Sequence, residues 1–94
     1  MLTHIEHNTD AHRFEVHLDD HVGYLSYLLE DGVINYNHTI VPKALGGRGI
    51  GTELVKYALA YARVNHLKVI PGCSFVEAYI SKHPGHQDLL ADHT

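Results

Sequence analysis

Hydrophobic side chains recur at every second position in the first half of the chain and at every third or fourth in the second half. Residues 13–18 alternate cleanly, with Phe14, Val16 and Leu18 on one face and Arg13, Glu15 and His17 on the other. That period of two predicts a half-buried strand. Residues 22–29 carry apolar side chains on both faces (Val22, Tyr24 and Leu28 against Leu25, Tyr27 and Leu29), which predicts a strand covered on both sides. Over residues 33–41, Ile34, Tyr36, His38 and Ile40 share one face of a third strand, and Pro42 removes a ladder donor and ends it. Leu2 and Ile5 mark a short edge strand over residues 2–7. Turn clusters separate these runs at Asn8-Thr9-Asp10, Asp19-Asp20-His21 and Glu30-Asp31-Gly32, the last a tight-hairpin signal.

From residue 50 to about 65 the period becomes helical: Ile50, Leu54, Tyr57, Ala58, Tyr61 and Ala62 lie three and four apart, and Asn65-His66 closes the run. Residues 67–70 form a short apolar strand. A strand, helix, strand order predicts a crossover with this strand parallel to the one before the helix. Pro71-Gly72 breaks it. Ser74 and Glu77 have the spacing of a capping box, predicting a second helix over residues 75–82 with Phe75, Val76, Tyr79 and Ile80 as its apolar stripe. Pro84-Gly85 ends it, and residues 86–94 read as one more helical turn and a frayed tail. The fold class is therefore mixed α/β: an antiparallel meander, a β-α-β crossover and a second helix, in one domain over residues 1–94.

Composition narrows the setting. Ninety-four residues, 45% of them hydrophobic, suffice for one modest core. No apolar run approaches the ~20 residues of a membrane span, and the N-terminus does not read as a signal peptide. The single cysteine, Cys73, fits a reducing, cytoplasmic location. A formal charge of −4, from seven basic and eleven acidic residues, argues against nucleic acid and suits a cationic, amine-bearing partner.

The candidate chemistry centres on residues 41–54, which hold four of the eight glycines: Gly46, Gly47, Gly49 and Gly51. A strand that runs through a glycine-rich turn into a helix N-terminus makes an anion site, because the first-turn amides are free and the helix dipole adds partial positive charge. A phosphate-binding P-loop requires Lys before Ser/Thr at its end; here Thr52 follows Gly51 directly. The dinucleotide pattern starting at Gly47 and Gly49 requires glycine at the position of Thr52. Both patterns fail. Cys73, between a strand end and a helix start, occupies a place where the dipole favours thiolate, although a lone cysteine is more often a small buried hydrophobe.

Several ordered segments share a further resemblance: Tyr27-Leu28-Leu29-Glu30-Asp31-Gly32, His38-Thr39-Ile40-Val41-Pro42, Gly47-Arg48-Gly49-Ile50-Gly51, Leu67 through Val76, and Tyr79-Ile80-Ser81-Lys82-His83-Pro84. Together they resemble the small single-domain members of the GNAT N-acetyltransferase superfamily. The resemblance implies a GNAT-like mixed sheet and transfer of an acetyl group from acetyl-CoA to an amine. It implies coenzyme A bound by the loop residues Gly46, Gly47, Arg48, Gly49, Ile50, Gly51 and Thr52, by main chain at Ile40 and Val41, and at its nucleotide end by Lys82 and His83. It places Cys73 beside the acetyl group, as nucleophile or neighbour. His38 is a candidate general base because imidazole titrates near neutrality, with a structurally hydrogen-bonded histidine as the alternative; Tyr79 is a candidate acid or a core side chain. Three departures stand out. Gly46 replaces the family's usual Gln or Arg, with Arg48 able to supply the charge. Ile40 stands where a glutamate is usual, and Gly85-His86 replaces Glu-Tyr.

Ten histidines raise the question of metal. His83 and His86 stand three apart, but Pro84-Gly85 intervenes and no second ligand pair completes a site, so no metal is expected. Two readings besides acetyl transfer stay open: a module that binds CoA without turnover, favoured by Ile40, and an interaction domain whose loop is empty. The acceptor is an amine of unknown identity.

Overall fold

The structure, a computed structural model, describes residues 4–91. Five strands form one sheet in sequential order: β1 (Glu6–Asn8), β2 (Arg13–Leu18), β3 (His21–Glu30), β4 (Val33–Ile40) and β5 (Lys68–Ile70). The first four pair antiparallel and β5 lies parallel to β4. Between β4 and β5 runs α1 (Ile50–Val64), and α2 (Ser74–Lys82) follows β5. The expected meander and crossover are both present. Of the edge strand read over residues 2–7, Leu2 lies outside the described residues, and the observed β1 is shorter and ends later.

The hairpin turns follow from residues that accept positive φ. Asp31 (φ 51°) and Gly32 (φ 78°) form a two-residue turn with both centres left-handed, the geometry that matches strand twist. Asp19 (φ 52°) and Asp20 (φ 63°) do the same between β2 and β3, Asp being among the few side chains that tolerate this region.

One face of the sheet carries the core. Phe14, Val16, Leu25, Tyr27, Ile34, Tyr36 and Val69 point to it and meet Leu54, Val55, Ala58, Leu59 and Ala62 of α1 and Val76 and Ile80 of α2. The Tyr36 hydroxyl donates to the Ala58 carbonyl and ties β4 to α1. Among the described residues no helix covers the opposite face: Leu28 is 58% exposed and Ile40 46%. The expectation of a β3 strand buried on both sides is therefore corrected. Its second apolar row faces outward, beside a polar network. There Glu15, only 4% exposed, accepts from Arg13, from His17 Nε2 at 2.8 Å and from Asn8 Nδ2 at 3.1 Å, while the Arg13 guanidinium lies 4.4 Å from the Tyr24 ring.

The expected β4 pattern is also corrected. The β3–β4 register runs Leu25↔Thr39, Ser26↔His38, then Tyr27↔Tyr36, which leaves Asn37 as an extra residue. This bulge reverses the alternation beyond it. Ile34 and Tyr36 point into the core; His38 and Ile40 pair with Ser26 and Tyr24 on the open face, and Thr39 turns inward opposite Leu25. Ser26 Oγ donates to Asn37 Oδ1 at 2.8 Å and holds the extra residue in place.

After α2, a 3-10 segment, Pro84–Leu89, returns the chain to the sheet. Leu89 is buried, Leu90 bridges Val69 in parallel, and the Ala91 amide donates to Val69 O at 2.8 Å. The part of the expected tail that is described is thus docked; residues 92–94 lie outside the described residues.

Candidate functional site

The parallel pairing of β4 and β5 covers only Val33↔Lys68, Ile34↔Val69 and Asn35↔Ile70. Pro71 then takes β5 away, since it has no N–H to donate. Beyond Asn35, β4 continues to Ile40 with no partner on that side. A splayed gap opens between the two strands, and its β4 edge carries unpaired backbone groups. At its root a Cβ on Gly72 would stand 2.3 Å from Asn35 Oδ1, so only glycine lets the chain turn there.

Pro42 leads into a 3-10 turn, Lys43–Leu45, and the glycine-rich loop into α1. Gly47 (φ 79°) and Gly49 (φ 73°) adopt the left-handed conformation, and Gly49 is the N-cap of α1 with no side-chain cap. The first intrahelical bond is Glu53 N to Gly49 O at 3.0 Å. The amides of Ile50, Gly51 and Thr52 precede it and have no acceptor within the helix. Val41, Gly46, Gly47, Gly49, Ile50, Gly51 and Thr52, with Phe75 from α2, line one cleft of ≈ 280 Å³. Thr52 and Phe75 also border a second, of ≈ 340 Å³, walled by Lys56 of α1, by Tyr79 and Lys82 of α2 and by its C-cap His83. The two form a continuous groove between the helices, from free amides at one end to cations at the other. Tyr79 and His83 stack at 4.0 Å between centroids, with His83 Nδ1 2.8 Å from the Tyr79 carbonyl oxygen.

Cys73 occupies a different position from the one its sequence context implied. Ser74 is the first residue of α2 and Cys73 itself is the N-cap, with no side-chain capping bond from Ser74. The capping-box expectation is corrected: Glu77 N bonds the Cys73 carbonyl at 3.0 Å, as the helix ladder requires, and β5 leaves the chain extended through Cys73 (φ −104°, ψ 134°). Cys73 Sγ lies 3.4 Å from Thr39 Oγ1, the side chain that the Asn37 bulge turns inward. Burial pushes the thiol up, but the Thr39 hydroxyl and the backbone amides of Val76, Phe75 and Thr39 outweigh it and hold it below its ordinary value. This is the expected behaviour of a thiol at a helix N-terminus, where several donors favour the thiolate.

The residues singled out from the sequence divide into groups. Val41, Gly46, Gly47, Gly49, Ile50, Gly51, Thr52, Lys82 and His83 come together along the groove. Arg48 turns away and pairs with Asp19 at 3.0 Å, fastening the loop to the β2–β3 turn. Ile40, His38 and Cys73 stand outside the groove walls, with His38 and Ile40 on the open face and Cys73 at the gap. The sequence reading missed Thr39, Lys56 and Phe75 as site residues. Thr39 becomes one only through the bulge, and Phe75 only because its ring covers Gly51, where a Cβ would meet it at 2.9 Å. A larger concavity, ≈ 800 Å³, lies on the other flank of α2 and includes neither the loop nor the thiol. The groove is the better candidate site because the free amides, the cations and the loop converge there. Among the described residues, no group of three or more His, Cys, Asp or Glu is placed to hold a metal ion, and no helix is long and apolar enough to cross a membrane.

This arrangement has known counterparts. Residues 13–89 match the model of the GCN5-related N-acetyl-transferase family. Over 83 residues, spanning 85% of the chain, it is 30% identical to Protein NATD1 of Mus musculus, of which it covers 76%, and to Protein NATD1 of Homo sapiens, of which it covers 74%. The solution structure of a GCN5-like protein from Staphylococcus aureus superposes with a TM-score of 0.75 at 29% identity, covering 98% of this chain and 91% of that one. With most of its length matching in both sequence and fold, the chain belongs to the GCN5-related N-acetyltransferase family.

Proposed function

We propose that the protein transfers an acetyl group from acetyl-CoA to an amine, with the pyrophosphate on the loop and the acetyl thioester at the gap beside Cys73. The observation that carries this reading is the convergence of three unpaired amides, Ile50, Gly51 and Thr52, on a groove whose far wall holds Lys56 and Lys82. Two of the seven basic residues, Lys56 and Lys82, line this groove, although the chain as a whole is acidic. A long polyanion with an uncharged, amide-bearing arm fits that sequence of features: amides and cations for its phosphates, then the unpaired edge at Ile40 of β4 and at Val41 just beyond it for main-chain bonds to the arm.

In the reading we favour, the Cys73 thiolate attacks the acetyl carbonyl carbon and the bond to the coenzyme sulfur breaks. The amine then attacks the Cys73 thioester, the acetyl carbon–Sγ bond breaks, and the amine proton passes to solvent, since His38 faces the open side of the sheet. The Thr39 hydroxyl and the α2 amides favour the thiolate before attack and stabilise it when it leaves. The alternative is a module that binds acetyl-CoA without turnover, for which Ile40 speaks, because no carboxylate stands at that point of β4.

Titration with acetyl-CoA tests the binding half. A ligand at a hundred times its Kd adds about 2.7 kcal/mol of stability, so a clear rise in melting temperature is expected. The gain should shrink with added salt if phosphate contacts dominate. No stabilisation at millimolar acetyl-CoA would sink the assignment.

A further inference from the structure

The Cys73 thiol is held from two sides. The amides of Phe75 and Val76 reach it from the first turn of α2, and the hydroxyl and amide of Thr39 reach it from β4. The Thr39 amide is available because β4 has no partner on that edge beyond Asn35. The groups that bond the thiol are neutral donors. Neutral donors act only at hydrogen-bonding range, so their effect depends on where Thr39 is placed.

Thr39 owes its place to the extra residue in β4. Counted from core-facing Tyr36, an unbroken strand would send His38 inward and Thr39 to the open face. Instead Tyr27 pairs with Tyr36 and Ser26 with His38, so Asn37 is unpaired and the alternation beyond it is reversed. A bulge formed beyond Thr39 would leave Thr39 on the open face. The bulge is tied where it stands by a side-chain bond to the neighbouring strand, Ser26 Oγ donating to Asn37 Oδ1 at 2.8 Å. Ser26 itself lies on the open face, opposite to Thr39, and lines neither part of the groove.

We propose that Ser26 is a positioning residue for Cys73. It fixes Asn37, Asn37 sets the face on which Thr39 lies, and Thr39 brings its hydroxyl and its amide to the thiol. The contacts run through the sheet, from the open face of β3 to the gap. A strand residue remote from the groove thereby sets how readily the thiolate forms. The inference rests on the acetyl-transfer reading for its purpose, but not for its test.

The test is the pH profile of Cys73 alkylation by iodoacetamide, measured without coenzyme. Cys73 is the single cysteine, so the rate reports on it alone. Ser26→Ala is expected to move the midpoint upward, by less than Thr39→Val does, while Ser26→Thr, which keeps the hydroxyl, holds the wild-type midpoint. In the Thr39→Val background, Ser26→Ala should add no further shift, because its route to the thiol is already cut. Far-UV circular dichroism at each pH checks that the variants are folded. Should Ser26→Ala not fold, Asn37→Ala removes the acceptor of the same bond and has the same expectations. An unmoved midpoint in Ser26→Ala would overturn the inference, and so would an equal shift with and without Thr39. The expected shifts, with no acetyl group found on Cys73 after incubation with acetyl-CoA, would uphold the positioning and reject the route through a Cys73 thioester.

Discussion

Several single residues here are explained by what lies against them. Gly72 looks in the sequence like a strand breaker beside Pro71, yet the structure gives it a steric reason: a Cβ there would stand 2.3 Å from Asn35 Oδ1, an atom already buried without a hydrogen-bond partner. Gly72→Ala is expected to lose about 1–3 kcal/mol in urea unfolding, and Asn35→Ala in the same chain should recover part of it; a neutral Gly72→Ala would show that the gap's root is loosely packed. Glu15 makes a second case. Burial pushes its carboxyl up, but the bonds from Arg13, His17 and Asn8 and the Arg13 charge bring it down from 4.5 to about 2. A carboxyl with a depressed folded pKa contributes stability that is complete above 4.5 and is lost as pH falls from 4.5 to about 2. Glu15→Gln should therefore destabilise by about 2 kcal/mol at neutral pH, the scale of hydrogen bonds to a charged group, with the difference from wild type closing across that window. A difference independent of pH would contradict the ionised network. Cys73 is the third case. Because the Thr39 hydroxyl helps hold the thiol down, Thr39→Val should move the pH midpoint of its alkylation upward, and an unmoved midpoint would show that the helix amides alone suffice.

At the scale of elements, the pattern of apolar positions was a good guide wherever one face of an element meets the core. The β2 alternation and the α1 stripe follow directly from burial against the sheet, and Asn65, as expected, closes α1, its side chain donating to Tyr61 O at 2.9 Å. The bulge in β4 was not legible, since Ile34, Tyr36, His38 and Ile40 alternate as an unbroken strand would. Only the adjacent polar pair Asn37-His38 hinted at an extra residue. That one insertion decides the site, as it turns Thr39 toward the thiol and His38 away. The capping box was misread for a related reason: Ser74 and Glu77 have the right spacing, but β5 ends so close to α2 that the cap falls on Cys73. The glycine loop was legible in its positions and less so in its roles. Gly47 and Gly49 are needed for their left-handed backbone, whereas Gly51 makes room for the Phe75 ring. Gly49→Val should thus cost about 1–2 kcal/mol through backbone strain as well as weakening acetyl-CoA. Gly49→Asn, which tolerates positive φ, should keep much of the stability, which calorimetry and thermal melts together will separate.

For the whole molecule, the β4-α1-β5 crossover and α2 together build two features: the groove between α1 and α2 and the splayed gap where Cys73 meets Thr39. Family membership and fold could be read from ordered short segments because each sits where the backbone is constrained: a tight turn, a strand end, a helix start. The far wall of the groove could not, because nothing in the sequence brings Lys56 of α1 and Phe75 of α2 together. The central claim is acetyl transfer through this site. It is tested most directly by incubating the protein with acetyl-CoA and a panel of primary amines and quantifying both free CoA and N-acetylated amine by mass spectrometry, with Cys73→Ala in parallel. The account predicts equal, amine-dependent formation of the two products by the wild type, an acetyl group carried on Cys73 when the amine is withheld, and loss of most turnover in Cys73→Ala with acetyl-CoA binding retained. Turnover by Cys73→Ala at the wild-type rate would reduce the thiol to a packing group, and acetyl-CoA binding without any amine-dependent CoA release would contradict the claim itself.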